Sequence, residues 1–346
     1  MHTKTVKIRI KDSNAKKALK ELSRSVNFVW NYCNETSFHA LRNYSKWLSG
    51  FDLNKLTAGS GKDLGLHSQS VQAVCEEYAL KRRQFKKRKL RWRSKRSLGW
   101  VPFKKSGIKI KDGCLIYQKK SYRLFQPERL PSTEGSGQFV EDARGRWYVC
   151  ISVKCEDIES FAESEVGIDL GLKNLATLSS GKKIDNNRYF RIMERRLASA
   201  QRAKKKRLIK SRHAKIRNQR LDFLHKESTK IADENRLIVI GKLNVQALKK
   251  TRMAKSFSDA GTAMFKDMLK YKSKARKHVF VEVSETNTTR TCSACGKIPS
   301  SAPKGVKGLS VREWVCGICH AILDRDVNAS INILRLGHQA LASEVS

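Results

Sequence analysis

The sequence predicts a two-part chain: a β-barrel carrying an inserted helical bundle, then an α/β core interrupted by a four-cysteine zinc module. Three observations carry this. Strand patterns flank a long helical stretch in the first half. Strands alternate with helices after residue 165, the signature of an α/β core. Four cysteines stand in two close pairs near the C-terminus.

In the first half, Thr3 to Ile10 alternates polar and apolar residues and reads as a half-buried strand. Residues 13–48 read as helix, with Leu19, Leu22, Val26, Val29 and Trp30 at spacings of three and four and Asp12 or Ser13 as the cap. Gly50, Gly59, Gly61 and Gly65 mark a break. A second helix is predicted from Ser68 into RRQFKKRKLRWRSKR, where Phe85, Leu90 and Trp92 stand among dense cations. Such a run can be a solvated face. Given the total charge, nucleic-acid contact by Arg82, Arg83, Lys86, Lys87, Arg91 and Trp92 is the preferred reading. Residues 99–154 read as short strands, with a hairpin turn at Asp142–Gly145, and the first strand is expected to join their sheet. The acidic stretch ending at Glu165 reads as a linker.

In the second half, VGIDLGL, ATLSSGKKI, LIVIGKLNV and VFVEVSE read as strands. Residues 188–234 read as one long or hairpinned basic helix, Ser256–Lys277 as a helix, and Asn328 to about Leu341 as the last.

Lys and Arg number 72 against 32 Asp and Glu, a formal net charge of +40. Self-repulsion at that level opposes compaction, and a polyanion relieves it, so nucleic acid is the expected partner. No apolar run of membrane-spanning length occurs, which argues against a membrane partner, and the N-terminus lacks an apolar signal core. A cytoplasmic, nucleoid-associated location is the expectation. Cys33, Cys75, Cys114, Cys150 and Cys155 are scattered singly, as in a reducing compartment. Cys292, Cys295, Cys316 and Cys319 follow C-x2-C-x20-C-x2-C, the spacing of a closed tetrahedral zinc site, which leaves no position for water and is therefore structural.

Asp169 lies inside the apolar strand Val166–Leu172, where an unsatisfied carboxylate costs several kcal/mol. Gly167 and Gly171 flank it. Asp324 and Asp326 precede the last helix, and one of them can serve as its N-cap. Phosphodiester cleavage by two Mg2+ ions draws on such carboxylates converging from several strands.

The series VGIDLGLKNLATLS, LIVIGKLNV, the four-cysteine module and DRDVNASINI resembles the TnpB proteins of bacterial insertion sequences, relatives of compact type V CRISPR effectors. The resemblance is strong over Val166–Leu334. It is weaker over residues 1–165, where TKTVKIRI, NFVWNYCNE, LGWVPFK and RWYVCISVK look like the family's wedge and recognition regions. It implies an RNase H-like (RuvC) nuclease domain over 165–290 and 321–346, with the cysteine module at 291–320. It likewise implies a wedge barrel over 1–11 and 99–160 and a helical recognition domain over 12–98. The activity implied is cleavage of double-stranded DNA beside a short adjacent motif, directed by a guide RNA derived from the transposon end. Asp169 would be the first and Asp326 the third metal-binding carboxylate. The cysteine module would load single-stranded DNA or act as a structural clip.

One position departs from the family. Its middle strand usually ends IVIED, with a catalytic Glu, and here Gly241 and Lys242 stand there. Either the site is dead and the protein is an RNA-guided repressor, or the carboxylate comes from elsewhere. Glu282 and Glu285 lie on the next predicted strand, and a subset of the family shifts its Glu there. The Glu before x-x-T-T matches Glu285, which is preferred over Glu282. The expected magnesium site is Asp169, Glu285 and Asp326. A conventional transposase that joins DNA ends is the third and weakest reading.

Overall fold

The computed structural model describes the chain except residues 12, 132–134, 243–255, 257–258, 305–307, 309 and 346. It divides into two units, Thr3–Cys155 and Glu156–Ser346.

The first unit begins with β1 (His2–Arg9), α1 (Ser13–Tyr44), α2 (Gly50–Leu56) and α3 (Ser68–Phe85). Strands β2 (Trp100–Phe103), β3 (Ile108–Lys111), β4 (Cys114–Tyr117), β5 (Lys120–Tyr122), β6 (Gly137–Glu141) and β7 (Trp147–Cys155) come next. In place of one closed barrel there are two sheets, β1-β7-β6-β2 and β3-β4-β5, linked by a bridge between Ile10 and Leu124. Alternation along β7 buries Trp147, Val149, Ile151 and Val153. Phe103, Tyr117, Tyr122 and Phe139 pack ring against ring in the same core as Leu19, Val26 and Tyr78 of the helices. Beta1 lies beside β7, so the helices are an insertion between sheet neighbours, as the strand pattern predicts. The glycine-rich break holds an unpredicted helix, α2, whose start is fixed by a reciprocal capping box between Ser49 and Asp52.

The predicted continuation of α3 into the basic run does not form. Alpha3 stops at Phe85, and Lys86 adopts a left-handed backbone at φ 49°. Beyond it the chain forms an irregular strap lying on α1. Asn34 bonds both backbone groups of Leu90, and Asn31 both backbone groups of Arg93, at 2.8–2.9 Å. Trp30 donates its indole N–H to the carbonyl of Arg91. These side-chain bonds satisfy backbone groups that a helix would have paired internally. Arg82 also departs from expectation as a nucleic-acid contact. It is buried, donates to the Leu48 carbonyl at 2.8 Å and lies over the Trp47 ring, so it holds the bundle together. Arg83, Lys86, Lys87, Arg91 and Trp92 are exposed.

The second unit contains β8 (Ser164–Leu170), β9 (Asn174–Leu178), β10 (Lys183–Asp185), α4 (Tyr189–Arg202), α5 (Lys206–Glu234) and β11 (Asn235–Gly241). It continues with α6 (Thr262–Ala275), β12 (Val279–Val283), β13 (Glu313–Val315), β14 (Ile322–Asp324) and α7 (Arg325–Val345). The basic stretch is hairpinned, the predicted 256–277 helix is interrupted at Gly261, which has a left-handed backbone, so that α6 begins at Thr262, and α7 starts three residues early. The end of the predicted LIVIGKLNV strand beyond Lys242 lies outside the described residues.

The five-stranded sheet runs β10-β9-β8-β11-β12, antiparallel on the β10 side and parallel from β8 to β12. Its two faces divide the labour. Val166, Ile168, Leu170, Ile238 and Ile240 face α5 and α6, packing with Leu224, Ile231, Phe265 and Leu269. Leu237, Val239 and Val283 face α7 and pack on Ile333. Gly167 allows the close approach of α7, since a Cβ there would lie 2.1 Å from the Ser330 carbonyl oxygen.

Candidate active site and four-cysteine cluster

Asp169 is on β8 two residues after Gly167, so the pleat turns it to the α7 face. Beta8 and β11 are parallel, and their last registered pair is Ile168 with Ile240. One residue further stand Asp169 and Gly241, side by side at the carboxyl ends of their strands, where open α/β sheets place their sites. Beta12 ends at Val283, opposite Gly241, and the chain turns back so that Glu285 lies directly over that glycine. A Cβ at residue 241 would be 2.2 Å from Glu285 Oε1 and 2.5 Å from its Cγ. The Glu285 side chain therefore occupies the space that any larger residue at 241 would fill.

Asp326 arrives from the other side, in the first turn of α7. Asp324 is the cap: its Oδ1 accepts from the backbone N–H of Asp326 at 3.0 Å and of Val327 at 2.9 Å, and its other oxygen meets Lys183. Asp326 is thereby left free of the capping role, and Arg312 Nη1 stands 3.5 Å from its Oδ2. Two asparagines that sequence reasoning passed over fix the geometry. Asn328 and Asn332, one turn apart on α7, donate to the carbonyls of Thr288 and Thr291. They tie the segment after Glu285 to the helix that carries Asp326. The NASIN pattern after DRDV, with asparagines four apart on a helix, was the available signal.

Burial, then the charges of Glu285 and Asp326, push the Asp169 carboxyl up to about 8. Burial raises Glu285 as well, and its Oε1 is buried without a hydrogen-bond partner. Glu282 differs. It points to α6, bonds Lys266 at 2.9 Å and has Lys270 at 3.7 Å, and the Lys266 bond holds its carboxyl low. Three carboxylates thus share one face, two of them desolvated and poorly satisfied by the protein, which suits oxygen-preferring divalent cations. They do not form a cluster as tight as a one-ion site, which among the described residues the cysteines alone do. Ligands of two ions about 3.5–4 Å apart are necessarily more spread.

This burial makes stability depend on pH. The folded carboxyl of Asp169 binds its proton more tightly than the ordinary 3.8, so unfolding releases that proton. The stabilisation is complete below about pH 4 and is lost as pH rises through about 8. In metal-free protein, denaturant titrations across that window should show stability falling by at most about 1.4 kcal/mol per pH unit from this group. Asp169→Asn should flatten the slope, and an unchanged slope would show that another group causes it.

Cys292, Cys295, Cys316 and Cys319 bring their sulfur atoms within 4.8 Å of one another. Cys292 Sγ is 3.6 Å from Cys319 Sγ, and Cys295 Sγ is 3.8 Å from Cys316 Sγ. Sulfurs about 2.3 Å from one tetrahedral ion stand about 3.8 Å apart, so the set fits a metal. The residue after each pair, Gly296 and His320, has a left-handed backbone, at φ 75° and 60°, turning the chain around the site. His320 serves that turn and is outside the ligand set. The short β13–β14 ladder and Trp314 support the cluster.

A highly basic chain with carboxylates gathered on one sheet face and a separate four-thiol cluster able to hold a metal ion has the features of a protein that handles nucleic acid. Two family models match it: residues 148–252 match "Probable transposase" of the IS605 OrfB group, and residues 263–333 match the "Cas12f1-like, TNB domain". A Streptomyces pristinaespiralis protein named "Putative RNA-guided DNA endonuclease" is 33% identical over 86% of this chain and 77% of its own length. Escherichia coli K12 "Putative RNA-guided DNA endonuclease InsQ" is 29% identical over 68% of this chain and 65% of its own. In a solved Cas12f1-sgRNA-target DNA complex, one chain overlays with a TM-score of 0.40 at 15% identity, covering 96% of this chain and 99% of that one. The chain belongs to the TnpB/IS605 family.

Proposed function

We propose that this protein is an RNA-guided DNA endonuclease of a transposable element, cutting beside a short adjacent motif. The observation that carries the reading is the Glu285 carboxylate lying over Gly241, on the face that also presents Asp169. The names of its relatives support the same activity. A decayed site has no reason to hold a half-buried glutamate, one oxygen of it buried without a partner, in the place of the missing one, so the dead-binder reading is not favoured.

In this reading residues 165–290 and 321–346 form a RuvC-like nuclease domain of RNase H-like fold, with the zinc module at 291–320. Residues 1–11 and 99–160 serve as the wedge, and 12–98 as the recognition domain. The guide RNA, drawn from the transposon end, pairs with the target strand, and Lys and Arg hold the heteroduplex by its phosphates. Asp169, Glu285 and Asp326 would hold Mg2+, which when bound supplies positive charge at the scissile phosphate and favours ionisation of the attacking water. Asp169, whose carboxyl is held protonated up to about 8, would serve as a ligand in its ionised form. Asn328 and Asn332 keep Glu285 and Asp326 in register. The four thiolates would hold one structural Zn2+.

The guided part is tested by RNA removal. RNase treatment of the purified protein should abolish sequence-specific DNA binding in a shift assay and leave only salt-sensitive, nonspecific binding. Specific binding that survives complete RNA removal would contradict guidance.

A further inference from the structure

The strap after α3 builds a feature that the cleavage chemistry does not use. Asn31 and Asn34 clamp the backbone of Leu90 and Arg93, and Arg93 is tied to Asn27 through its Nε at 2.6 Å and stacks over Trp30 and Trp100. Between the two clamped residues, Arg91 and Trp92 project outward, and Trp92 is 55% exposed. A cavity of about 620 Å³ opens beside them. Its apolar wall is Trp30, Phe85, Trp92 and Leu98, and its rim carries Lys87, Arg91 and Arg96. Among the described residues, no carboxylate lines it.

From this geometry we infer that the strap is a built pocket for a single unstacked base of a nucleic-acid strand, with Trp92 as the stacking platform and Arg91 on the adjoining phosphate. This rests on the reading of the chain as a nucleic-acid-guided protein and deepens it. A cluster of cations alone would serve a phosphate backbone without any cavity. An exposed indole leaves apolar surface in water, and base stacking is the interaction that covers it among phosphate-binding cations. The volume is within the ~300–1,000 Å³ typical of sites for small organic groups. The clamp matters because a strap whose backbone is fixed before binding has less left to order on binding. Stacking tolerates any base, so the pocket distinguishes an unpaired base from a paired one rather than one base from another.

The test is photocrosslinking of the protein purified with its own RNA, mapped by mass spectrometry. In one arm the RNA carries 4-thiouridine from the growth medium. In the other, matched target DNA carries 5-iododeoxyuridine. A crosslink on Trp92 in the first arm makes the base an RNA base, and in the second a DNA base; either supports the pocket. Trp92→Phe should keep most of the crosslink at residue 92. Trp92→Ala, with an unchanged melting temperature, should weaken binding of the crosslinking strand by about tenfold without changing its salt slope, whereas Arg91→Ala should lower that slope by about one. Crosslinks that map elsewhere in both arms, or a Trp92→Ala variant that binds as wild type, overturn the pocket. Neither result depends on cleavage, so the pocket can fail while the nuclease reading stands.

Discussion

Glu285→Gln should reduce cleavage of a matched target by about a thousandfold while leaving guided binding nearly intact, because phosphate contacts and base pairing dominate affinity. Glu282→Ala should still cut, since Glu282 is occupied with Lys266 and Lys270 on the opposite side of β12. The glycine supplies a sharper version. In Gly241→Ala the new Cβ would fall 2.2 Å from Glu285 Oε1, so the carboxylate must move. A displacement of about 1 Å at a reacting centre can cost about a hundredfold, and that is the loss expected. Placing Glu at 241 in the Glu285→Ala background should restore part of the activity, since the two positions compete for one space and Lys242 adds a nearby cation. Binding, cleavage and melting temperature measured on the same samples separate these outcomes. If Glu285→Gln cuts like wild type while Glu282→Ala does not, the site has been completed by the wrong glutamate in our reading.

Loss of the thiolate cluster should produce the largest effect on stability. Elemental analysis should find one Zn2+ per chain. Cys292→Ser or Cys316→Ser should lose it and unfold the region around β13 and β14. Among the described residues, its core is a few side chains, among them Ala302 and Trp314, around the cysteines. Structural zinc contributes about 10–16 kcal/mol of binding free energy that acts as folding energy, far beyond what such a core supplies. Limited proteolysis should therefore begin between residues 292 and 319 in either variant and after chelation of the wild type. Full zinc content in a variant would contradict the ligand assignment.

The elements that could be read from sequence were those with one dominant local signal. The alternation of β7, the buried run of β8 and the paired cysteine spacing each survive any tertiary context. The failures share a different cause. Residues 86–98 carry helix-compatible residues, but their backbone partners are asparagines more than fifty positions earlier on α1, and no local pattern reports that. Arg82 looked like its exposed neighbours because charge says nothing about burial; the covering Trp47 and the Leu48 carbonyl are distant in sequence. At the site, Asp169 stood out as a carboxylate in an apolar strand, and Glu285 through the absence at Gly241. The family pattern already set Asp326 apart as a candidate ligand, but which aspartate caps the last helix was open in sequence, and it is settled when the N–H groups of α7 are seen to point at Asp324. The tie from Asn328 and Asn332 to the Glu285 segment is a long-range contact invisible without the fold.

The most direct measurement is a cleavage assay on the RNA-bound wild type with Mg2+ present, comparing a matched duplex, a mismatched duplex and a matched duplex in the Asp169→Asn variant. Cutting of the matched duplex alone, by wild type alone, is the predicted result, with all wild-type activity lost in EDTA. A wild type that binds the matched duplex tightly and leaves it uncut at every Mg2+ concentration would contradict an active nuclease and make this chain an RNA-guided binder.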